Sequence, residues 1–187
     1  MQERPDDDRN DEDDETLRRA RAGDRTAYSA LVRRHQRAVH RHLLRMVGVP
    51  DDAMELTQEV FVRAWQALPQ WEPTAQLRTW LFRIASNAAL DLLRRRKTVE
   101  FVPLDDSVFE VAHPAAGPER QAQATQELRR LEAALARLTP EHREILLLRE
   151  IEDLSYEELA SALSLTVGTV KSRLARARAA LIEESRK

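Results

Sequence analysis

The sequence predicts an all-α protein made of two small helical domains joined by an extended acidic linker. Three observations carry this. The 187 residues include only four glycines, and usage is heavy in Ala, Leu, Arg and Glu, which favour helices. Apolar residues recur at steps of three and four through several long stretches. Residues 98–120 break that pattern with Pro103, Pro114, Gly117 and Pro118, and hold five acidic residues against one basic.

The elements follow in chain order. Residues 1–15 carry nine acidic and two basic residues and almost no apolar side chain, so a disordered acidic tail is expected there. The first domain, residues 16–97, opens with a short helix over Leu17–Ala22, ended near Gly23. A long helix over Arg25–Val47 offers Tyr28, Leu31, Val32, Val39, Leu43 and Val47 to a core. Gly48 and Pro50 end it. The next helix, Asp51–Leu68, carries the apolar stripe Leu56, Val60, Ala64 and Leu68. Pro69 and Pro73 bracket a loop that contains Trp71. A fourth helix runs from Leu77 to about Arg96, with Leu77, Trp80, Leu81, Ile84, Ala88 and Leu92 inward. Beyond the linker, residues 121–187 form a second helical domain.

Residues 138–182 of that domain read as three consecutive helices. Thr139 is an N-cap followed by Pro140 at the first helical position, where the missing N–H costs nothing. Ser155 and Glu158 form a capping box, with Leu154 and Leu159 as a hydrophobic staple. Thr166 caps the third helix, with Leu165 and Val170 as its staple. The turn Ala162–Thr166 is short. This is the layout of a helix-turn-helix, whose second helix enters the DNA major groove. Val167, Val170, Leu174, Ala177 and Leu181 make one buried stripe of the third helix. Thr169, Lys171, Ser172, Arg173 and Arg176 fall largely on its other faces. Ser164 to Ile182 holds four basic residues and no acidic one. Lys and Arg supply phosphate contacts and read guanine edges, and Ser or Thr serve either role. A solvated basic face on an ordinary bundle is the plain alternative.

The net charge of −2 hides a segregated distribution. Residues 17–45 hold nine arginines against Asp24, and residues 76–97 hold six basic residues against Asp91. Such local patches set the field that nucleic acid meets. The absence of cysteine excludes a disulfide framework and thiolate metal sites. The histidines at 35, 40, 42, 113 and 142 have no ligand pattern, no catalytic constellation stands out, and no cofactor is expected. No apolar run approaches a membrane span and no signal-peptide core opens the chain, so a cytoplasmic protein without direct membrane insertion is expected.

In the first domain, Glu55, Gln58, Glu59, Arg63 and Gln66 form a polar face opposite the core stripe, which by composition is a solvated face. On the Leu77–Lys97 helix, Trp80 and Phe82 sit beside Arg78, Arg83 and Asn87, and the helix ends in four basic residues. Cations track a strand's backbone, aromatics stack unpaired bases, and Asn bonds base edges. Trp80 also lies on the apolar stripe, and charges such as Arg94 also suit a helix C-terminus.

Four motifs in order now carry a resemblance. They are AGDRTAYSALVRRHQ, DDAMELTQEVFVRAW, LRTWLFRIASNAALDLLRRR and LTPEHREILLLREIEDLSYEELASALSLTVGTVKSRLARAR. Across about residues 15–184 the chain resembles the extracytoplasmic-function (ECF, group IV) sigma factors of bacterial RNA polymerase. The resemblance implies a sigma region 2 module at 16–97 and a region 4 module at 121–187. It implies that Glu55, Gln58 and Glu59 dock on the β′ clamp helices of core polymerase, and that the region 4 module sits on the β flap. The Leu77–Lys97 helix and the loop Gln70–Gln76 would open the −10 element, with Trp71, Phe82, Arg83, Asn87 and Arg94 at the DNA. Thr169, Lys171, Ser172, Arg173, Ala175 and Arg176 would face the −35 element of promoter DNA. Catalysis would belong to the polymerase, not to this chain. An anti-sigma factor is the expected regulator. The loop lacks the glycine common in the family, and Ala175 is small where relatives often carry a bulkier side chain. Two other classes are the alternatives. A sigma mimic that titrates an anti-sigma factor commonly carries a receiver domain, for which the chain has no room. A stand-alone helix-turn-helix regulator would not need the Glu55–Lys97 motifs.

Overall fold

The computed structural model describes residues 7–73, 75–96 and 118–187. The linker expected at 98–120 falls outside these apart from its last three residues, and the first six residues of the expected tail fall outside as well. The described residues are helical in every element. Helix α1 (Asp7–Arg21) begins inside the stretch expected to be a disordered tail. The reason is charge order: acids fill its first half and Arg18, Arg19 and Arg21 its last turn, as the helix dipole favours. A Glu15–Arg18 pair one turn apart adds to this at 2.6 Å.

Helix α2 (Arg25–Val47) starts on Asp24, whose carboxylate accepts from the backbone N–H groups of Thr26 and Ala27. It stops at Gly48, which takes a left-handed φ of 73° that a side chain would resist. Helix α3 (Pro50–Ala67) has proline in its first turn, and a short 3-10 turn, Leu68–Gln70, follows it. Helix α4 (Leu77–Arg95) completes the N-terminal domain. Val39, Leu43, Val47, Leu56, Val60, Ala64, Leu81, Ala85 and Ala88 form its core. Arg96 at the end of α4 holds Asp52 of α3 in a two-pronged ion pair.

The C-terminal domain starts with α5 (Pro118–Arg137), three residues earlier than expected. Helix α6 (Pro140–Leu146) runs on into a wide π turn, Leu147–Ile151, where the Glu152 N–H reaches back to the Leu147 carbonyl at 3.1 Å. Helices α7 (Tyr156–Leu163) and α8 (Val167–Ser185) form the helix-turn-helix. All three expected caps are made: Thr139 accepts from the His142 N–H, Ser155 and Glu158 close a capping box, and Thr166 accepts from the Thr169 N–H. The turn between α7 and α8 passes through Ser164 in the left-handed region, with φ 54°.

Helix α4 is buried on two sides, which the single apolar stripe did not anticipate. Leu81, Ala85, Ala88 and Ala89 face α2 and α3. Phe82 instead joins a second core with Leu138, Ile145, Leu148, Leu159, Val170 and Leu174 of the C-terminal domain. The two domains therefore share a packed seam along α4.

Candidate nucleic-acid interface

Helix α8 presents its polar row to solvent. Its buried side is Val170, Leu174 and Ala177, leaving Lys171, Ser172, Ala175 and Arg176 exposed. The row is pre-ordered by short-range bonds. Thr169 and Thr166 hydroxyls lie 2.9 Å apart, the Ser172 hydroxyl donates to the Thr169 carbonyl at 3.0 Å, and Arg176 donates to the Ser172 carbonyl. Arg173 is half-buried and acts electrostatically on Glu144. Tyr156 belongs with this surface, although the sequence reading did not single it out. Its ring takes the Arg149 guanidinium at 5.3 Å and the Lys171 ammonium at 5.8 Å. Its place as the first residue of α7, beside the recognition helix, is the signal that marks it.

On the N-terminal domain, Arg83, Asn87 and Arg94 are exposed along α4, and Arg94 pairs with Asp91 at 3.3 Å. Trp71 stacks on Trp80 with ring centroids 5.0 Å apart. The pair borders a small open pocket with Thr79 and Arg83 on one side and Ser161 and Ala162 of α7 on the other. Phe82 is not at the surface: it is 1% exposed, edge-on to His42 at 5.3 Å and covered by Arg78 at 5.1 Å. The second domain covers the face on which Phe82 lies, so sequence periodicity could not report its burial.

The seam beside Phe82 is polar and charged. Arg78 donates to Glu152 at 2.9 Å, and the buried Thr79 hydroxyl donates to Glu158 at 3.2 Å. Ser86 pairs with the His42 Nε2 at 3.1 Å and with the Glu144 carboxyl. Burial pushes the Glu144 carboxyl up to about 7, against the opposing Ser86 bond and Arg173. Burial likewise raises Glu152, while Arg78 pulls the other way. Burial, helped by Arg45, holds the His42 imidazole down at about 3. His35 is lowered to about 4 by burial, then by Arg34 and Arg78. Both histidines are thus neutral near neutral pH, and no cluster fit to hold a metal ion occurs among the described residues.

On α3, Glu55 and Gln58 are exposed, and Glu59 pairs with Arg63 at 2.5 Å. Met54 and Val62, each 55% exposed, lie one turn before and after Gln58. They turn the expected polar face into a mixed apolar and polar strip.

Residues 31–99 match the family Sigma-70 region 2, and residues 128–181 match Sigma-70, region 4. The chain is 38% identical to the RNA polymerase sigma factor NccH of Alcaligenes xylosoxydans xylosoxydans, over 90% of this chain and 92% of that one. It is 34% identical to the ECF RNA polymerase sigma-E factor of Escherichia coli, over 88% and 90% of the two. It is also similar to CnrH of Cupriavidus metallidurans, at 36% identity over 87% of this chain and 88% of that one. The solved structure of CnrH in complex with the cytosolic domain of CnrY superposes with a TM-score of 0.68 at 30% identity, covering 91% of this chain and 95% of that one. With both region matches and full-length relatives in agreement, the chain belongs to the extracytoplasmic-function (group IV) sigma factors, the non-catalytic RNA polymerase subunits of promoter recognition and transcription initiation.

Proposed function

We propose that this sigma factor grips its promoter at two points while docked on core polymerase through α3. Helix α8 reads the −35 duplex with Lys171, Ser172 and Arg176, framed by Thr169, Arg173 and Ala175. The duplex there stays closed, so a major-groove helix suits it. Helix α4 and the loop before it hold the opened −10 strand through Trp71, Arg83, Asn87 and Arg94. Capturing a base out of the stack costs a few kcal/mol, which stacking and pocket contacts return. Phe82 joins that surface only after the domains part. Glu55, Gln58 and Glu59, with Met54 and Val62 beside them, take the β′ clamp helices, and the C-terminal domain takes the β flap.

One observation carries this reading. A capped helix-turn-helix with a solvent-facing Lys171–Ser172–Arg176 row shares a chain with a second, unrelated surface where a tryptophan stack adjoins exposed Arg83 and Asn87. Double-stranded and single-stranded readers are both needed to open a promoter.

The solved complex of CnrH supports a protein regulator here as well, and we assign that role to an anti-sigma factor. No described helix is long and apolar enough to cross a membrane, and the proposed site of action is the cytoplasm, with the polymerase. The test is reconstitution with core RNA polymerase on genomic promoter fragments. Discrete start sites that depend on the added chain are expected. Absence of both core binding and such transcripts would overturn the reading.

A further inference from the structure

The inner side of α1 reaches the tryptophan stack. Leu17 and Ala20 pack into an apolar cluster with Ala27 and Leu31 of α2, Leu68 of the 3-10 turn, and Trp71, Leu77 and Trp80. Ala20 and Leu68 are each 1% exposed, and α1 lies alongside the 3-10 turn. One cluster thus joins α1 to both members of the stack, whose rings sit 5.0 Å apart and 27° from parallel.

The angle at which α1 arrives is fixed by its junction with α2. Gly23 turns the chain with a left-handed φ of 93°. The N–H groups of Gly23 and Asp24 donate back to the carbonyls of Ala20 at 3.0 Å and Arg19 at 3.1 Å. Arg19 grips the Asp24 carboxylate at 2.6 Å, and that same carboxylate caps α2. Helix α4 starts at Gln76 without a side-chain cap. Its first turn, with Leu77 and Trp80, is therefore seated by packing into the cluster that α1 completes.

Order matters for a surface that captures a base. A stack held in place beforehand loses little freedom when the base arrives, whereas a loose one must be ordered at that moment. If the stack forms in only a fraction of molecules, apparent affinity falls by that fraction.

We propose that α1 is a positioning element for strand capture: Leu17 and Ala20 seat the 3-10 turn and hold the Trp71–Trp80 stack ready for a base. The proposal rests on the −10 assignment made above for α4 and the loop before it. Neither residue needs to touch DNA. The −35 row on α8 and the strip around Gln58 on α3 lie on other elements, so α1 acts on promoter opening and not on duplex reading or docking.

The test uses the full chain with core polymerase, on a genomic promoter fragment that the assembled enzyme transcribes. Opening is read by permanganate reactivity of unpaired thymines. The stack is read by the far-ultraviolet exciton signal of its coupled indoles, which Trp71→Ala identifies. Leu17→Ala should weaken both, with opening reduced about tenfold for a stack formed in about one molecule in ten. Leu17→Met restores apolar volume and should recover both. Core binding and binding of an isolated −35 duplex should not change. Normal opening in Leu17→Ala overturns the proposal, as does lost opening with the stack signal intact. An equal loss of core binding or −35 binding also overturns it, because a purely structural role produces that pattern. Should Leu17→Ala not fold, Arg18→Gly decides, since it loosens α1 at an exposed position. Opening and stack signal must then fall together, and any other pattern overturns the proposal. Trp71→Ala separates the two readings. If it opens the promoter normally, the −10 assignment beneath the proposal fails. If it loses opening while Leu17→Ala keeps it, only the role of α1 fails.

Discussion

Arg143 of α6 donates a hydrogen bond to the Met46 carbonyl near the end of α2, across the domain seam. The same guanidinium donates to the carbonyls of Leu135 at 3.0 Å, Ala136 at 2.7 Å and Leu138 at 3.3 Å. One buried side chain thus caps the end of α5 and joins the domains. Burial lowers its pKa to about 10, so it stays charged at neutral pH and its hydrogen bonds are charge-assisted.

Removing Arg143 should therefore cost more than a surface arginine. Arg143→Ala is expected to destabilise the chain by about 3 kcal/mol, because buried carbonyls lose their donor. Arg143→Lys should recover little, since an ammonium cannot reproduce the planar fork. Urea midpoints check this, and a variant as stable as its parent contradicts it.

Arg176 lies on the exposed row of α8 and donates to the Ser172 carbonyl of its own helix. Arg176→Ala should lower initiation from −35-dependent promoters by roughly tenfold, the value of one good base contact. Core binding and thermal stability should not change. If the variant loses core binding instead, the assignment of this row to DNA is wrong.

Met54 and Val62 flank Gln58 on α3 and bury little in the chain itself. Replacing both with serine should leave folding intact and weaken association with core polymerase by about tenfold, as expected for apolar contacts at an interface. Sedimentation of the mixture reads the outcome. Unchanged association would place the polymerase contact elsewhere on the domain.

Glu144 gives a pH signature of definite sign. Its folded pKa of about 7 lies above the ordinary 4.5, so the folded state binds the proton more tightly than the unfolded chain. Stability from this group is complete below about 4.5 and is lost as pH rises toward 7. His42 and His35 act oppositely. Held at about 3 and about 4, they favour folding above 6.5 and withdraw that support as pH falls. Glu144→Gln should remove the loss between 4.5 and 7 and leave the acid limb in place. Between about 4.5 and 6.5 the denaturation midpoints should then rise more steeply with pH in the variant, because Glu144 no longer offsets the two histidines, and an unchanged slope would assign the effect to another group.

The local chemistry of the fold was legible in the sequence to a useful depth. Thr139, Ser155 and Thr166 cap the helices expected of them because a cap depends on a side chain and the next few backbone N–H groups. The stripe Val170, Leu174 and Ala177 is buried for the same local reason, and it fixes which residues of α8 face outward. The second burial of α4 was not legible. Phe82 and Ser86 are covered by residues more than fifty positions away, and no periodicity within α4 encodes a partner domain. Helix α1 escaped for a different reason: acid-rich composition suggested disorder, while the order of charges along it favours a helix. The wide turn at Leu147–Ile151 has no Gly or Pro to announce it, yet it carries Glu152 into the seam.

The tryptophan stack has one more consequence, which is optical. The chain's three tryptophans, Trp65, Trp71 and Trp80, all belong to the N-terminal domain, and two of them sit within 5.0 Å centroid to centroid beside Ser161 and Ala162 of the other domain. Light emitted by the unlabelled protein therefore reports on one half of the molecule and on its boundary with the other. A rearrangement at that boundary that wetted the indoles would move their emission to longer wavelength. A base that slides into the stack quenches it instead. A change at the domain boundary and the arrival of a base would thus be told apart by colour and intensity in the native chain.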